Sequence, residues 1–212
     1  MPTTARRYTV DREDIARAAL EIIDRDGVEA LSMRRVASEL GVGTMTLYGH
    51  VDGKDDLLDA AVDAASAPVE LELAGPWRDR LRTLIRTARG ALELHPALVH
   101  IRLTRPVVRP EALRFGEAGM GILRSAGLAP DDAARAFRLL FTYMFGYAAL
   151  SPGHAVEAAR RRTDVAVAAL PPEHFPHLRD ARDAFVDAVA GDETFDYGLE
   201  VILDGIEARV RR

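Results

Sequence analysis

An all-α fold is predicted by three features of the chain. Apolar residues recur at three- and four-residue steps along most of its length, the periodicity of amphipathic helices. Strong breaks separate these segments at Gly27, Gly41, Gly53, Pro76, Pro96, Pro106, Gly127 and Ser151-Pro152-Gly153. No convincing strand pattern interrupts them.

The first helix is expected over about residues 11 to 26. Ile15, Ala18, Ala19, Ile22 and Ile23 form its inner face. Asp11, with Asp14 three residues on, is its N-cap, and Gly27 ends it in the left-handed conformation that glycine adopts cheaply. Ser32 caps a short second helix with Val36, Ala37 and Leu40 inside and Gly41 as its stop. Only Gly41-Val42-Gly43 separates it from a third, Thr44 to His50, with Leu47 buried. After Asp52-Gly53 a fourth begins at Lys54 or Asp55 and carries Leu57, Leu58, Ala61, Val62 and Ala65 on one face until Pro68. Longer helices follow: Trp77 to Leu94, Ala97 to about Thr104, Pro110 to Ala126, Asp131 to Leu150, Ala155 to Leu170, about Phe175 to Val189, and Asp192 to Arg212. The change of pattern near residues 66 to 76 divides the chain into a basic arm at 1–10, a small module with its connecting helix at 11–66, and a helical body at 67–212.

Composition narrows the function. The 212 residues are 48% hydrophobic and 29% charged, enough apolar mass for a core without disulfides or metals. The absence of cysteine excludes thiolate metal sites, iron–sulfur clusters and cysteine nucleophiles, and fits a cytoplasmic location. Arg6 and Arg7 have no apolar stretch behind them, so no signal peptide is expected. The longest apolar run, Leu139 to Leu150, is twelve residues, short of the ~20 that span a bilayer, so no membrane partner is expected. A net charge of −5 argues against coating nucleic acid by bulk field but leaves a local basic face open.

Two short helices joined by a glycine turn, the second too polar to be a core element, form a helix-turn-helix pattern. Such a second helix can lie in the major groove. Thr44 and Thr46 can hydrogen-bond phosphate or bases, Tyr48 and His50 can donate to phosphate, and Arg34 and Lys54 flank the groove. Arg6 and Arg7 can add phosphate or minor-groove contacts from a flexible arm.

The segment Asp11 to Ala61 resembles the DNA-binding module of the tetracycline-repressor (TetR) family of bacterial transcriptional regulators. The resemblance is carried by AALEIID with Gly27, by GVEALSMRRVASELGV, and by TLYGHVDGKDDLLDA. It continues more loosely through Trp77, His95-Pro96, Thr104-Arg105-Pro106 and the closing FDYGLEVILDGIEARV, which resemble the ligand-binding and dimerisation domain of the tetracycline-repressor subgroup. The resemblance implies operator contacts from Met33, Arg34, Thr44, Met45, Thr46, Tyr48, Gly49, His50 and Lys54. The founding repressor has Gln, Pro and Trp where this chain has Thr44, Met45 and Gly49, so a different operator is implied. Loss of a bidentate amide at Thr44 removes ~1–3 kcal/mol of discrimination at one base.

The resemblance further implies a homodimer on palindromic double-stranded DNA, with recognition helices about 34–36 Å apart, released by a small-molecule effector. The dimer is expected through the 131–150 and 192–211 helices. Leu139 to Tyr147 is apolar all round its circumference, which suits either a central core helix in a monomer or a helix between cavity and partner subunit. A largely apolar effector is expected against Leu84, His100, Leu103, Met120, Leu123, Phe141, Met144, Phe145 and Tyr147. The residues that hold tetracycline are apolar here, with Val69 and Leu84 near the matching positions, so tetracycline itself is not expected; His100 lies near the family's metal-ligating histidine. No cofactor, resident metal or catalytic group is expected. The alternatives are an effector-independent DNA-binding regulator or activator, and an isoprenoid-type synthase using the DDxxD spacing of Asp55, Asp56 and Asp59. Acidic residues in a first helical turn are also what the helix dipole favours.

Overall fold

The computed structural model describes residues 10–65, 74–104, 110–151, 155–189 and 191–211, and all regular structure among them is helical. The helices are α1 Arg12–Asp26, α2 Met33–Glu39, α3 Thr44–Leu47, α4 Lys54–Ala65, α5 Trp77–Leu94, α6 Pro96–Thr104, α7 Pro110–Ser125, α8 Pro130–Leu150, α9 Val156–Ala168, α10 Pro176–Asp180, α11 Arg182–Ala188 and α12 Asp192–Val210. A single 3₁₀ turn, Val28–Ala30, follows α1. The arm at residues 1–9, the end of α4 toward Pro68, Val69, Arg105-Pro106 and the side chain of His100 lie outside the described residues.

The helices form two compact units. One is built from Met1–Glu72 and Gly90–Ala118, the other from Leu73–Arg89 and Gly119–Arg212.

In the first unit, α1 starts and ends as its sequence predicts. The Asp11 carboxylate accepts from the Asp14 N–H at 2.9 Å while the Asp14 carboxylate accepts from the Asp11 N–H at 3.3 Å, a reciprocal capping box. Gly27 closes the helix at φ 85°, its N–H donating to the Ile23 carbonyl. The inner face of α1 meets Val36, Ala37, Leu47, Val51, Leu57, Leu58, Ala61 and Val62 in one buried cluster, joined by Leu98 and Ile101 from α6. This cluster seats α2, α3 and α4 around α1.

In the second unit, α12 is locked between α5 and α8. Arg78, Arg82, Arg86 and Arg89 stand on α5 at three- and four-residue steps and pair with acids of α12: Arg78 with Glu200 and Glu207, Arg82 with Glu200, Arg86 with Asp196, and Arg89 with Asp192. On its other side Tyr143 of α8 donates to the Phe195 carbonyl at 2.9 Å and Tyr147 donates to the Gly191 carbonyl at 2.6 Å. The Tyr143 ring stacks on Phe195 at 5.2 Å between centroids. The Arg89 guanidinium lies 4.4 Å from the centre of the Phe195 ring.

The ladder predicts a pH dependence. The Glu200 carboxyl is held down at about 2, chiefly by its hydrogen bond from Arg82 and then by that from Arg78. Its ordinary value in an unfolded chain is about 4.3, so the stabilisation it brings is present above that value and is lost as pH falls toward 2. Glu200→Gln is therefore expected to melt below the wild type at pH 6, with the gap closing toward pH 2. Thermal melts across that range check it.

Three expectations differ from the structure. The third helix ends at Leu47, and Tyr48–His50 form tight turns instead, with the Gly49 and His50 N–H groups bonding three residues back. The segment expected as one helix over 175–189 is two, broken at Ala181. Each piece is tied separately to the α9 hairpin: Arg179 donates to the Ala168 and Leu170 carbonyls, and Arg182 to Asp164. Finally, α6 and α8 begin at Pro96 and Pro130, one residue earlier than predicted, because proline fits the first helical position, where its missing N–H costs nothing.

Candidate DNA-binding interface

The turn between α2 and α3 is a Schellman motif. Gly41 at φ 66° lets the Val42 N–H reach back to the Ala37 carbonyl at 3.0 Å and the Gly41 N–H to that of Ser38 at 3.3 Å. Ser32 caps α2 by accepting from the Arg35 N–H. With both ends of α2 fixed, the direction of α3 is set by its one buried residue, Leu47, and by Val51 just beyond it.

Most of the remaining side chains of α3 and the turn after it face outward. Met45 is 79% exposed and Tyr48 52%. Thr46, Gly49, His50, Arg34 and Lys54 are exposed, while Met33 and Thr44 are half-buried. The nine residues expected at the operator therefore stand on one continuous stretch of α2, α3 and the start of α4, with only Leu47 and Val51 of residues 44–54 turned fully inward.

Charge pairing divides the basic residues of the module in two. Arg12, Arg17, Arg25 and Arg35 have carboxylates within reach: Asp56, Glu13, Glu39 and Asp26 respectively. Arg34 and Lys54 have no carboxylate partner among the described residues, and they flank α3. A cation already paired within the fold must give up that partner to meet a phosphate; these two need not. Arg34→Ala and Lys54→Ala are expected each to weaken DNA binding for all sequences alike and to reduce the slope of log affinity against log salt by about 1 per lost phosphate contact. A fluorescence anisotropy salt series checks this.

One supporting pair was not signalled by the sequence. Arg12, at the start of α1, donates to Asp56 at 2.6 Å and also to the His50 carbonyl, and Asp56 accepts from the Asp52 N–H at 3.0 Å. The guanidinium pKa is raised, chiefly by that hydrogen bond to Asp56. The three groups together fasten the segment after α3 to α1 and α4. Arg12 and Asp56 are 44 positions apart, and in the sequence each has the look of a solvated helix-terminal charge. This use of Asp56 also gives the Asp55, Asp56, Asp59 triplet a structural task. Among the described residues no cluster of three or more potential ligands could hold a metal ion. Arg160 and Arg161, part of a run of three arginines, are paired with Asp187 and Glu157.

The residues expected around an effector are distributed as follows. In the second unit Leu84, Leu123, Met144 and Phe145 are buried, and Met120, Phe141 and Tyr147 are half-buried. Phe137, Phe141 and Phe145 form a row along α8 with centroids 6.3 and 4.5 Å apart. Tyr147 is occupied by its hydrogen bond to Gly191. Leu103, on α6, belongs to the first unit and is exposed.

Comparison with known proteins agrees with this architecture. Residues 15–61 match the family described as bacterial regulatory proteins, tetR family, and residues 70–210 match the tetracyclin repressor-like C-terminal domain. The chain is 33% identical over 222 residues to the HTH-type transcriptional repressor DrrR1 of Streptomyces coeruleorubidus, covering 99% of this chain and 82% of that protein. It is 32% identical over 201 residues to the class A tetracycline repressor of transposon 1721 from Escherichia coli, covering 92% and 89%. Among solved structures it resembles the TetR family protein ActR of Streptomyces coelicolor in complex with actinorhodin, with a TM-score of 0.80 and 31% identity over 94% of this chain and 96% of that one. Among the described residues no helix is long and apolar enough to cross a membrane. Matched in both its parts, the chain belongs to the tetracycline-repressor family of transcriptional regulators and is a DNA-binding regulator rather than an enzyme.

Proposed function

We propose that this regulator is a cytoplasmic repressor that binds a palindromic operator as a homodimer and is released by a largely apolar small molecule. In this reading the 11–66 module contacts DNA through Met33, Arg34, Thr44, Met45, Thr46, Tyr48, Gly49, His50 and Lys54, and the 67–212 region dimerises and holds the effector. The observation that carries the DNA reading is the outward face of α3 between two unpaired cations.

The dimer is supported by the outer sides of α8 and α12. These helices pack on each other through Tyr143 and Phe195, yet Leu139 and Leu150 of α8 and Tyr197 and Val201 of α12 are left exposed, Leu150 at 85% and Tyr197 at 74%. The run Leu139 to Tyr147 is apolar all round, yet its Leu139 stays exposed among the described residues, which favours the partner-subunit reading over the central core helix. Two adjacent helices with such faces suit a four-helix interface about a two-fold axis. The effector reading is supported by the aromatic row of α8 beside Leu84, Leu123 and Met144, and by the actinorhodin complex of ActR.

Analytical ultracentrifugation of the free protein and of its complex with operator DNA tests the assembly. A wild-type dimer, and a Val201→Arg variant that sediments as a folded monomer with weakened operator binding, are expected. A wild-type monomer that still binds a full palindrome tightly would overturn the dimer. Addition of actinorhodin and related polycyclic aromatics to the complex tests the effector class, with release of DNA the expected result.

A further inference from the structure

The centre of the outward face of α3 carries no hydrogen-bonding side chain. Leu47 is fully buried and fixes which way the helix faces. At about 100° per residue, Met45, two positions before it, points about 200° away from the core. Gly49 is exposed in the turn just beyond the helix. The fold does not demand the glycine: Gly49 is absent from the glycines with positive φ, and a Cβ there would meet only the Thr46 carbonyl oxygen at 3.4 Å, an ordinary contact. Gly49 adds no side chain to the exposed surface just beyond α3. Thr46 and Tyr48 hold hydroxyls to the flanks, and Arg34 and Lys54 hold cations farther out.

Within α3 there is no Asn, Gln or Arg to make a bidentate contact with adenine or guanine. A thioether is no donor and a weak acceptor, so it selects chiefly by apolar contact. Of the four bases, thymine alone presents a methyl group in the major groove. Methionine suits that task, because three rotatable bonds and a polarisable sulfur let it settle on a small apolar target.

We propose that Met45 reads the 5-methyl group of a thymine in each operator half-site, making this apolar contact the base-specific element at the centre of the recognition face. The proposal rests on α3 being the recognition helix.

The test begins by selecting a preferred operator from random duplexes with the full-length protein. Each thymine is then replaced by uracil, one position at a time, which deletes the methyl group and nothing else. One thymine per half-site is expected to matter, its replacement weakening binding about fourfold, and about fifteenfold when both half-sites are changed, the size of one buried methyl group each. Met45→Ala should bind the thymine and uracil operators alike, and Met45→Leu should keep the preference. Because Met45 is exposed, Met45→Ala should melt with the wild type. A selected operator with no methyl-dependent thymine, or a preference undiminished in Met45→Ala, overturns the proposal alone. A wild-type protein that selects no sequence overturns the recognition-helix reading and the proposal together.

Discussion

Leu47→Ala is expected to abolish sequence-selective DNA binding and to lower stability by about 2–5 kcal/mol, the range for truncating a leucine in a packed core. The size follows from how little holds α3. It spans Thr44–Leu47, a single turn, far too short to persist by its own hydrogen bonds. Its one buried residue is Leu47, which shares a cluster with Ile15, Val36, Val51 and Leu57. Truncation both opens a void beneath α3 and removes the constraint that aims Met45, Thr46 and Tyr48 outward. Urea unfolding gives the stability change. Operator binding measured well below the melting temperature separates loss of aim from loss of fold. A variant destabilised by this amount that still selects the wild-type operator would show that α3 is oriented by something other than its anchor.

Gly198→Ala is expected to destabilise the second unit, against the usual rule. In an exposed helix interior that change gains about 1 kcal/mol. At Gly198 the added methyl would collide with the Tyr143 hydroxyl oxygen and stand 2.6 Å from the ring carbon that bears it. The ring cannot retreat freely, since it stacks on Phe195 and its hydroxyl donates to the Phe195 carbonyl. Overpacking of this kind costs about 1–3 kcal/mol, and a lost hydrogen bond about 1 more, so a net loss of about 1–3 kcal/mol remains after the helical gain. Gly121→Ala on α7 is the control: nothing lies within 4 Å of its added methyl, and it should be neutral or stabilising. Calorimetric melts of both variants check the pair. Equal behaviour of the two would mean that Tyr143 does not set the spacing of α8 and α12.

How much of this was legible in the sequence depended on how local its cause was. The limits of α1, the Ser32 cap and the Gly41 stop were readable because each depends on hydrogen bonds between residues three to five apart. Leu47 as the anchor of the third helix followed from periodicity, and the residues proposed to face the operator came from the resemblance, since surface polarity alone does not separate Thr46 from any solvated threonine. The end of α3 at Leu47 was not readable: the turn after it is held at the His50 carbonyl by Arg12, more than thirty positions away. The break at Ala181 came from side chains reaching α9 across a hairpin. The α5–α12 ladder joins residues more than a hundred positions apart, and each of its arginines looked like an ordinary exposed face. That Arg34 and Lys54 stand unpaired while their neighbours are paired is likewise a fact of packing.

Whether the α2–α3 face reads a specific duplex is decided by the affinity of the full-length protein for DNA upstream of its own gene and of the divergent neighbour, against scrambled DNA of equal composition, across a salt series, with Tyr48→Ala beside the wild type. A tight complex at one palindrome is expected, at least about a thousandfold preferred over scrambled DNA, weakening steeply with salt and impaired in Tyr48→Ala. Equal affinity for both DNAs, with operators selected from random duplexes bound no better and Tyr48→Ala indistinguishable from the wild type, would contradict it.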